Sequence, residues 1–386
     1  MLTWYEAVTD TLLTVGANVA NDRSLRHAKM AVREAVSHLA TARKWNSMVR
    51  SVRVLTSAKY DTGTITYDHT GGTHERELTL AGGTWPTWST YGHIIISDVP
   101  YEVDERISDT VITLTEDSNP AADVAALTTY ELYRESITLP KDFGQLLYHD
   151  RVNDWNPEFV SAELFRQRRE SQDYTGQPRT FSLFADRQRP DRRALYMHPA
   201  PSDGGEEIDL TYYSRPVPLT VFDYSTGTVT TSGGARAVTG SGTTFTSGMA
   251  GCVIRYGDTS SKPDALETND TQFVQENVID AFDTATSLRL QWDADQTSTA
   301  VMYRISSLID VIQGPMRDAL LACARWRLMV LTMQSANQTG QAWTDYQSQL
   351  SAAARDDQSH VGTRNRSGLT AEVGYQAALS YPQVSY

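Results

Sequence analysis

The sequence predicts an α+β protein of several domains: a helical-bundle core with a small β element, two inserted all-β modules and an extended C-terminal tail. Three observations predict it. The heptapeptide YDTGTIT at Tyr60 to Thr66 returns as YSTGTVT at Tyr224 to Thr230, with five of seven positions identical. Apolar residues recur at helical spacing near both ends of the chain. The last stretch, from Ser359 to Tyr386, is rich in Ser, Gly, Thr and Gln and has no helical apolar face.

Each repeat opens a run of β-type segments. The first module is expected at 56–134 and the second at 223–305. Both begin with β-branched and aromatic alternation around a glycine, the mark of a strand and turn. Both continue through a Gly/Thr/aromatic element, LTLAGGTWPTW at Leu78 to Trp88 and AVTGSGTTFTSGM at Ala237 to Met249. Apolar strands follow at His93 to Ile96 and Cys252 to Tyr256, then at Thr110 to Leu114 and Ser287 to Leu290. Each module ends on a Tyr-x-aliphatic strand, Tyr130/Leu132 and Tyr303/Ile305. Short strands at this spacing with turn signals between them predict a small barrel or sandwich. Gly240 and Gly242 read as turn glycines, because no third glycine and no helical pattern follow to make a phosphate-binding loop.

With the modules excised, helices are expected at 1–55, short strands with one polar helix at 135–222, and helices again at 306–357. Leu25, Ala28, Val32, Ala35, Val36 and Leu39 form one amphipathic face, with Asn21 or Asp22 as its cap. A shorter helix precedes it, with Trp4, Val8, Leu12 and Leu13 on one side. The middle piece carries a polar helix around Pro157 to Arg169, then strands at Thr180 to Phe184, Ala194 to His198 and Ile208 to Tyr213. In the third piece Met316, Leu320, Cys323, Trp326 or Arg327, and Val330 mark one helix and Trp343, Tyr346, Leu350 and Ala353 another. The turn between them is expected at Gly340 and Gln341. The tail is placed at 358–386 and reads as a segment that orders against a partner.

Composition narrows function. The chain has 386 residues, 40% apolar and 21% charged, as soluble globular proteins have. No apolar run is long enough to span a membrane. The start, MLTWYEAVTDTLL, lacks a basic region, so no secretory signal is expected. Cys252 and Cys323 sit in apolar surroundings without zinc-type spacing and read as buried free thiols. A net charge of −13 argues against a dedicated nucleic-acid binder. That charge is concentrated: 56–134 holds 13 acids against 4 bases, and 223–305 holds 10 against 5, so the rest of the chain is close to neutral.

No protease, hydrolase or kinase signature is present, and no cofactor or metal is expected. The eight histidines are scattered; His27 and His38 share a helix and read as surface or core-edge residues. Acid pairs such as Asp293/Asp295 and Asp356/Asp357 read as solvated. A run of arginines, Arg166, Arg168, Arg169, Arg179, Arg187, Arg189 and Arg192, interleaves with Glu170, Asp173, Asp186 and Asp191. Alternating signs suit contacts between neighbouring subunits, with DNA contact in the channel as the other reading.

The excised core resembles the head-to-tail adaptor (connector) proteins of tailed bacteriophages, in particular the tail-tubular and head-completion group of short-tailed phages. The resemblance is carried by HLATARKWN at His38 to Asn46, LPKDFGQL at Leu139 to Leu146, and the run from Gly176 to Thr220. In that run the Gly-x-Pro start, the Met-His-Pro-Ala-Pro strand end and Tyr-Tyr-Ser-Arg-Pro are typical of the group. The helix pair bearing Trp343 and Tyr346 also fits. The resemblance implies a non-catalytic virion protein of the head–tail interface, assembled in the host bacterial cytoplasm. It implies a homo-oligomeric ring, commonly of twelve subunits, between the portal protein and the tail tube or nozzle protein. Tail fibres are a further possible neighbour, and double-stranded DNA passes through the ring during ejection without being read. The C-terminal tail is expected to dock into the portal through Leu369, Val373, Tyr375, Leu379, Tyr381 and Tyr386.

Two other readings stay open. A tail-associated receptor- or carbohydrate-binding protein would use Trp85, Trp88 and Trp292 as sugar platforms, and a glycosidase would use acids of the modules.

Overall fold

The computed structural model describes residues 1–17, 21–127, 129–149, 157–169, 174–263, 273–309 and 314–360. The chain forms two compact units, one from 1–39, 45–47 and 221 onward, the other from 40–44 and 48–220.

The first unit opens with α1 (Trp4–Thr14), capped by Thr3, whose hydroxyl accepts the Glu6 N–H at 3.2 Å. In α2 (Asp22–Ala42) the cap is Asn21, which accepts the N–H groups of Arg23 at 2.9 Å and Ser24 at 3.3 Å. Ala28, Ala31, Val32, Ala35, Val36 and Leu39 are its buried face. Leu13, expected on the inner side of α1, is exposed.

The second unit starts with β1 (Val49–Leu55), then the first module: β2 (Thr64–Asp68), β3 (Glu77–Ala81), β4 (Gly92–Ile96), β5 (Val99–Arg106), β6 (Val111–Leu114), β7 (Val124–Leu127) and β8 (Tyr130–Arg134). These seven form one sheet in the order β7-β2-β3-β6-β5-β4-β8. After it come β9 (Ser136–Thr138), β10 (Phe143–His149), β11 (Glu158–Phe159), α3 (Ala162–Arg169), β12 (Thr175–Gly176), β13 (Thr180–Ala185), β14 (Arg193–His198), β15 (Ala200–Pro201) and β16 (Glu207–Ser214). They build a β1-β16-β10 sheet and a β11-β13-β14-β9 sheet, plus the β12-β15 pair. Alternating inward residues of both larger sheets, among them Phe181, Leu195, Met197, Ile208, Leu210 and Tyr212, share one apolar cluster with Ile137, Leu139 and Phe143.

The first unit resumes with the second module: β17 (Thr228–Thr231), β18 (Ala237–Ser241), β19 (Cys252–Tyr256), β20 (Gln275–Thr284), β21 (Ser287–Leu290), β22 (Ser298–Val301) and β23 (Tyr303–Ser307). Their order is β22-β17-β18-β21-β20-β19-β23, the same as in the first module strand for strand. Two helices follow, α4 (Pro315–Leu331) and α5 (Ala336–His360). Their connection is not at Gly340, which lies inside α5. Met333 instead takes the left-handed turn conformation, with φ 54°, directly after α4.

The repeated heptapeptide is where each module closes. Tyr60 bridges Leu132 and Tyr224 bridges Ile305, joining the start of the module to its last strand. The Tyr60 hydroxyl accepts the Thr84 N–H at 3.0 Å, and the Tyr224 hydroxyl accepts that of Thr244 at 2.5 Å. The closing-strand tyrosines Tyr130 and Tyr303 donate to the carbonyls of Thr62 and Thr226, each at 2.6 Å. A core aromatic completes both triangles: Trp85 lies 5.8 Å from Tyr60 and from Tyr130, and Phe245 lies 6.2 Å from Tyr224 and 6.1 Å from Tyr303. The heptapeptide glycine is needed for space as well as for conformation. At Gly63 (φ +91°) a Cβ would meet the Ala81 carbonyl at 2.5 Å, and at Gly227 (φ +80°) the Ser241 carbonyl at 2.3 Å.

A helical-bundle core is contradicted. Among the described residues 36% lie in strands and 27% are helical, the helical share falling in five α-helices and a few short turns. The expected bundle joined helices at the two ends of the chain through a minor β element. The described residues of 135–222 instead form strands that, with β1, build a two-sheet core, to which α3 is an addition. β1, which directly follows the first helical stretch, pairs with β16 over seven residues and belongs to that core.

Candidate functional site

The most chemically loaded place among the described residues lies in the second unit, where the first module returns to the strands that follow it. Glu135, between β8 and β9, is 4% exposed. Its Oε1 is 2.9 Å from Nη2 of Arg169 on α3 and 3.8 Å from Nδ1 of His93 on β4. The His93 ring stacks on Tyr133 at 5.6 Å, and Tyr133 stacks on Tyr174 at 6.3 Å. Arg187 pairs with Glu102 of β5 and donates to the Val103 carbonyl at 3.3 Å. Gln188 donates to the Thr90 carbonyl at 2.6 Å. His93, Glu102, Glu135, Arg169, Arg187 and Gln188, with Thr90, Tyr91, Ser136 and Tyr196, line a small cavity of about 130 Å³.

Burial sets the charge states here. It pushes the Glu135 carboxyl up to about 7, with Arg169 opposing and Glu102 adding to the rise. It pushes the His93 imidazole down to about 3, helped by the positive charges of Arg169 and Arg187. At neutral pH His93 is therefore uncharged, and Glu135 is poised between its two forms. Chemically this is a fastener: a partly protonated carboxyl and two guanidinium groups bind β5 and the end of β8 to α3 and the β13–β14 connection, and the neutral His93 ring packs beside them. Among the described residues no three His, Cys, Asp or Glu side chains converge to hold a metal ion.

The arginine run divides. Arg169 and Arg187 enter this cluster, and Arg168 pairs with Glu158 at 2.8 Å. Arg166 and Arg189 are exposed; Arg192 is half-buried, with its N–H donating to the Arg189 carbonyl at 2.8 Å. The acids expected to alternate with the run are in part spent locally. Asp186 accepts from the Thr138 hydroxyl at 2.5 Å and from the N–H groups of Gln188 and Arg189 at 2.9 and 2.8 Å.

Trp85 is 1% exposed in the core of the first module, so it offers no ring face to a sugar. Trp88 is half-buried against the same core, and Trp292 is 50% exposed. Asp357 is not solvated but buried, accepting the N–H groups of Asn46 and Ser47 at 3.0 Å each, while Asp293 pairs with Arg236 at 3.0 Å. Cys252 and Cys323 are buried free thiols. His38 lies 3.0 Å from the Tyr346 hydroxyl. The tail positions Leu369, Val373, Tyr375, Leu379, Tyr381 and Tyr386 lie outside the described residues.

Sequence reasoning did not single out His93, Glu102 or Glu135. Only Glu135 carried a signal, and a weak one: a lone acid between the last strand of the module and the first strand after it. Comparison of the chain with family models, with curated proteins and with solved structures returns no match.

Proposed function

We propose that this chain is a structural adaptor of the head–tail junction of a tailed phage, a ring-forming protein between the portal and the tail tube or nozzle. One observation carries the reading. The separate stretches that resemble such adaptors, Leu139 to Leu146 and Gly176 to Thr220, come together as β10, β13, β14 and β16 around a single apolar cluster. The resemblance therefore belongs to one folded core, not to scattered turns. The use of charge agrees with it: the titratable cluster fastens a module instead of opening onto a substrate-sized cleft. In this reading residues 361–386 reach the portal. The test is truncation after His360, assayed on DNA-filled heads that carry the portal. Expected is a folded protein that no longer seals the heads, which then lose DNA. Heads sealed equally well by the truncated protein would refute the tail's role, and a full-length chain that never binds heads would refute the adaptor reading.

A further inference from the structure

The two modules differ in how one patch of their surface handles charge. In the second module the acids there are neutralised in place. Arg289 of β21 lies 3.8 Å from Asp280 and 3.5 Å from Asp283, and Arg236 lies 3.0 Å from Asp293. In the first module β6 carries Thr113 at the position of Arg289, each directly before the leucine that enters the core. Arg76, the counterpart of Arg236, turns its Nε to the Leu114 carbonyl at 3.1 Å. As a result Asp104, Glu105, Glu116 and Asp117 are exposed, and no ion pair among the described residues engages them. A bulge between Val103 and Glu105 leaves both consecutive acids outward. The 115–118 turn is tied to the same strand two residues earlier, since the Glu102 N–H donates to the Ser118 hydroxyl at 3.1 Å and the Thr115 N–H to the Glu102 carbonyl at 3.0 Å. Four gathered carboxylates repel one another, a cost that the sister module avoids.

A complementary surface exists on α2. Arg23, Arg26, Met30 and Arg33 follow i, i+3, i+7 and i+10 on the side opposite its buried residues, a stripe of about 15 Å. Met30 is 44% exposed. No ion pair among the described residues engages Arg23 or Arg26, and the Arg33 guanidinium lies 4.6 Å over the Trp4 ring. Asp22 and Glu34 flank the stripe, with Glu34 turned toward Arg327 at 3.8 Å.

We propose that this arginine face of α2 receives the acidic patch of the first module of a neighbouring copy, a head-to-tail contact of the kind that closes a ring. The inference rests on the ring reading and names the partner surfaces within it. Opposite charge sets register and speeds encounter, and Met30 supplies apolar area at the centre of the contact. A second copy is favoured as the occupant because the same chain presents a matching acidic patch, the exposed Asp104, Glu105, Glu116 and Asp117.

The test is sedimentation velocity of the full chain at low and high salt. It compares wild type, Arg23→Glu/Arg26→Glu, Asp104→Lys/Glu105→Lys/Glu116→Lys/Asp117→Lys, and all six changes together, with circular dichroism to confirm folding. Each charge reversal alone is expected to weaken assembly by roughly tenfold or more, and the combined swap to restore it. Folded single-surface variants that assemble like wild type would overturn the interface while leaving the ring standing. Assembly unaffected by the acidic-patch change, with duplex DNA binding lost on the arginine change, would overturn it in favour of a polyanion site. A wild-type chain that stays monomeric with and without portal would remove the ring reading itself.

Discussion

The two modules share every strand neighbour and the same closing triangle, yet they are fastened by opposite charge logic. The first is held by a buried carboxyl: Glu135 takes Arg169. The second is held by a buried guanidinium. Arg255, at a β19 position that corresponds to Ile95 of β4, is 4% exposed and lies 3.1 Å from both Glu6 and Glu276. Glu6 in turn pairs with Arg317 of α4. Nearby, Arg304 lies 2.9 Å from Asp223 and 3.7 Å over the Tyr5 ring. The contrast separates two kinds of constraint. Closure depends on backbone conformation and on tyrosine hydroxyls that reach specific carbonyls, so few side chains satisfy it. Anchoring needs only that a buried charge be matched, and either sign will serve.

The largest expected effects break closure. Trp85→Ala and Phe245→Ala should each destabilise their own unit by about 3–5 kcal/mol in urea unfolding. The comparison sharpens with exchange: Trp85→Phe should cost much less than Trp85→Ala, because the sister module closes on a phenylalanine. Equal losses for both Trp85 variants would mean that the triangle does not set stability. Next is anchoring. Arg255→Met leaves Glu6 and Glu276 facing a buried methyl group and should cost about 3 kcal/mol. Arg169→Met should cost less at pH 7, about 1 kcal/mol, because Glu135 can answer by taking a proton.

The third expectation concerns pH. The folded-state value of Glu135 is raised from 4.5 to about 7, so its contribution to stability is full below 4.5 and is lost as pH rises through 7. That of His93 is lowered from 6.5 to about 3, so its contribution is full above 6.5 and is lost as pH falls toward 3. Between 4.5 and 6.5 the two slopes oppose, and stability of the second unit should be nearly flat. His93→Gln should unmask stability that falls with rising pH, and Glu135→Gln the reverse, each by up to about 1.4 kcal/mol per pH unit. Parallel pH profiles for both variants in urea melts would contradict the assignment. The smallest effect is the tyrosine hydroxyl. Tyr130→Phe and Tyr303→Phe should each cost about 1 kcal/mol, and by similar amounts in the two modules.

Much of the module architecture was legible because closure leaves a local mark. The Tyr-x-Thr-Gly spacing returns wherever one tyrosine, one carbonyl and one left-handed glycine must meet. The faces of α1 and α2 were legible through helical period, Leu13 excepted. The strands at 135–222 were visible too, but their weight was not. Nothing local shows that β1 pairs with β16, about 150 residues later, and so makes a β core where a helical bundle was expected. The α4–α5 turn was misplaced because Met333, not a glycine, adopts positive φ. The charged cluster was hidden for the same reason as the β core: His93, Glu135, Arg169 and Arg187 follow no period, and only the folded chain brings them together.

The most direct measurement of the adaptor account is single-particle electron microscopy of the full-length chain, alone and mixed with purified portal protein. The account predicts closed rings of this chain, seated coaxially on the portal when both are present. Particles that remain single chains in both samples, with portals left bare, would contradict it.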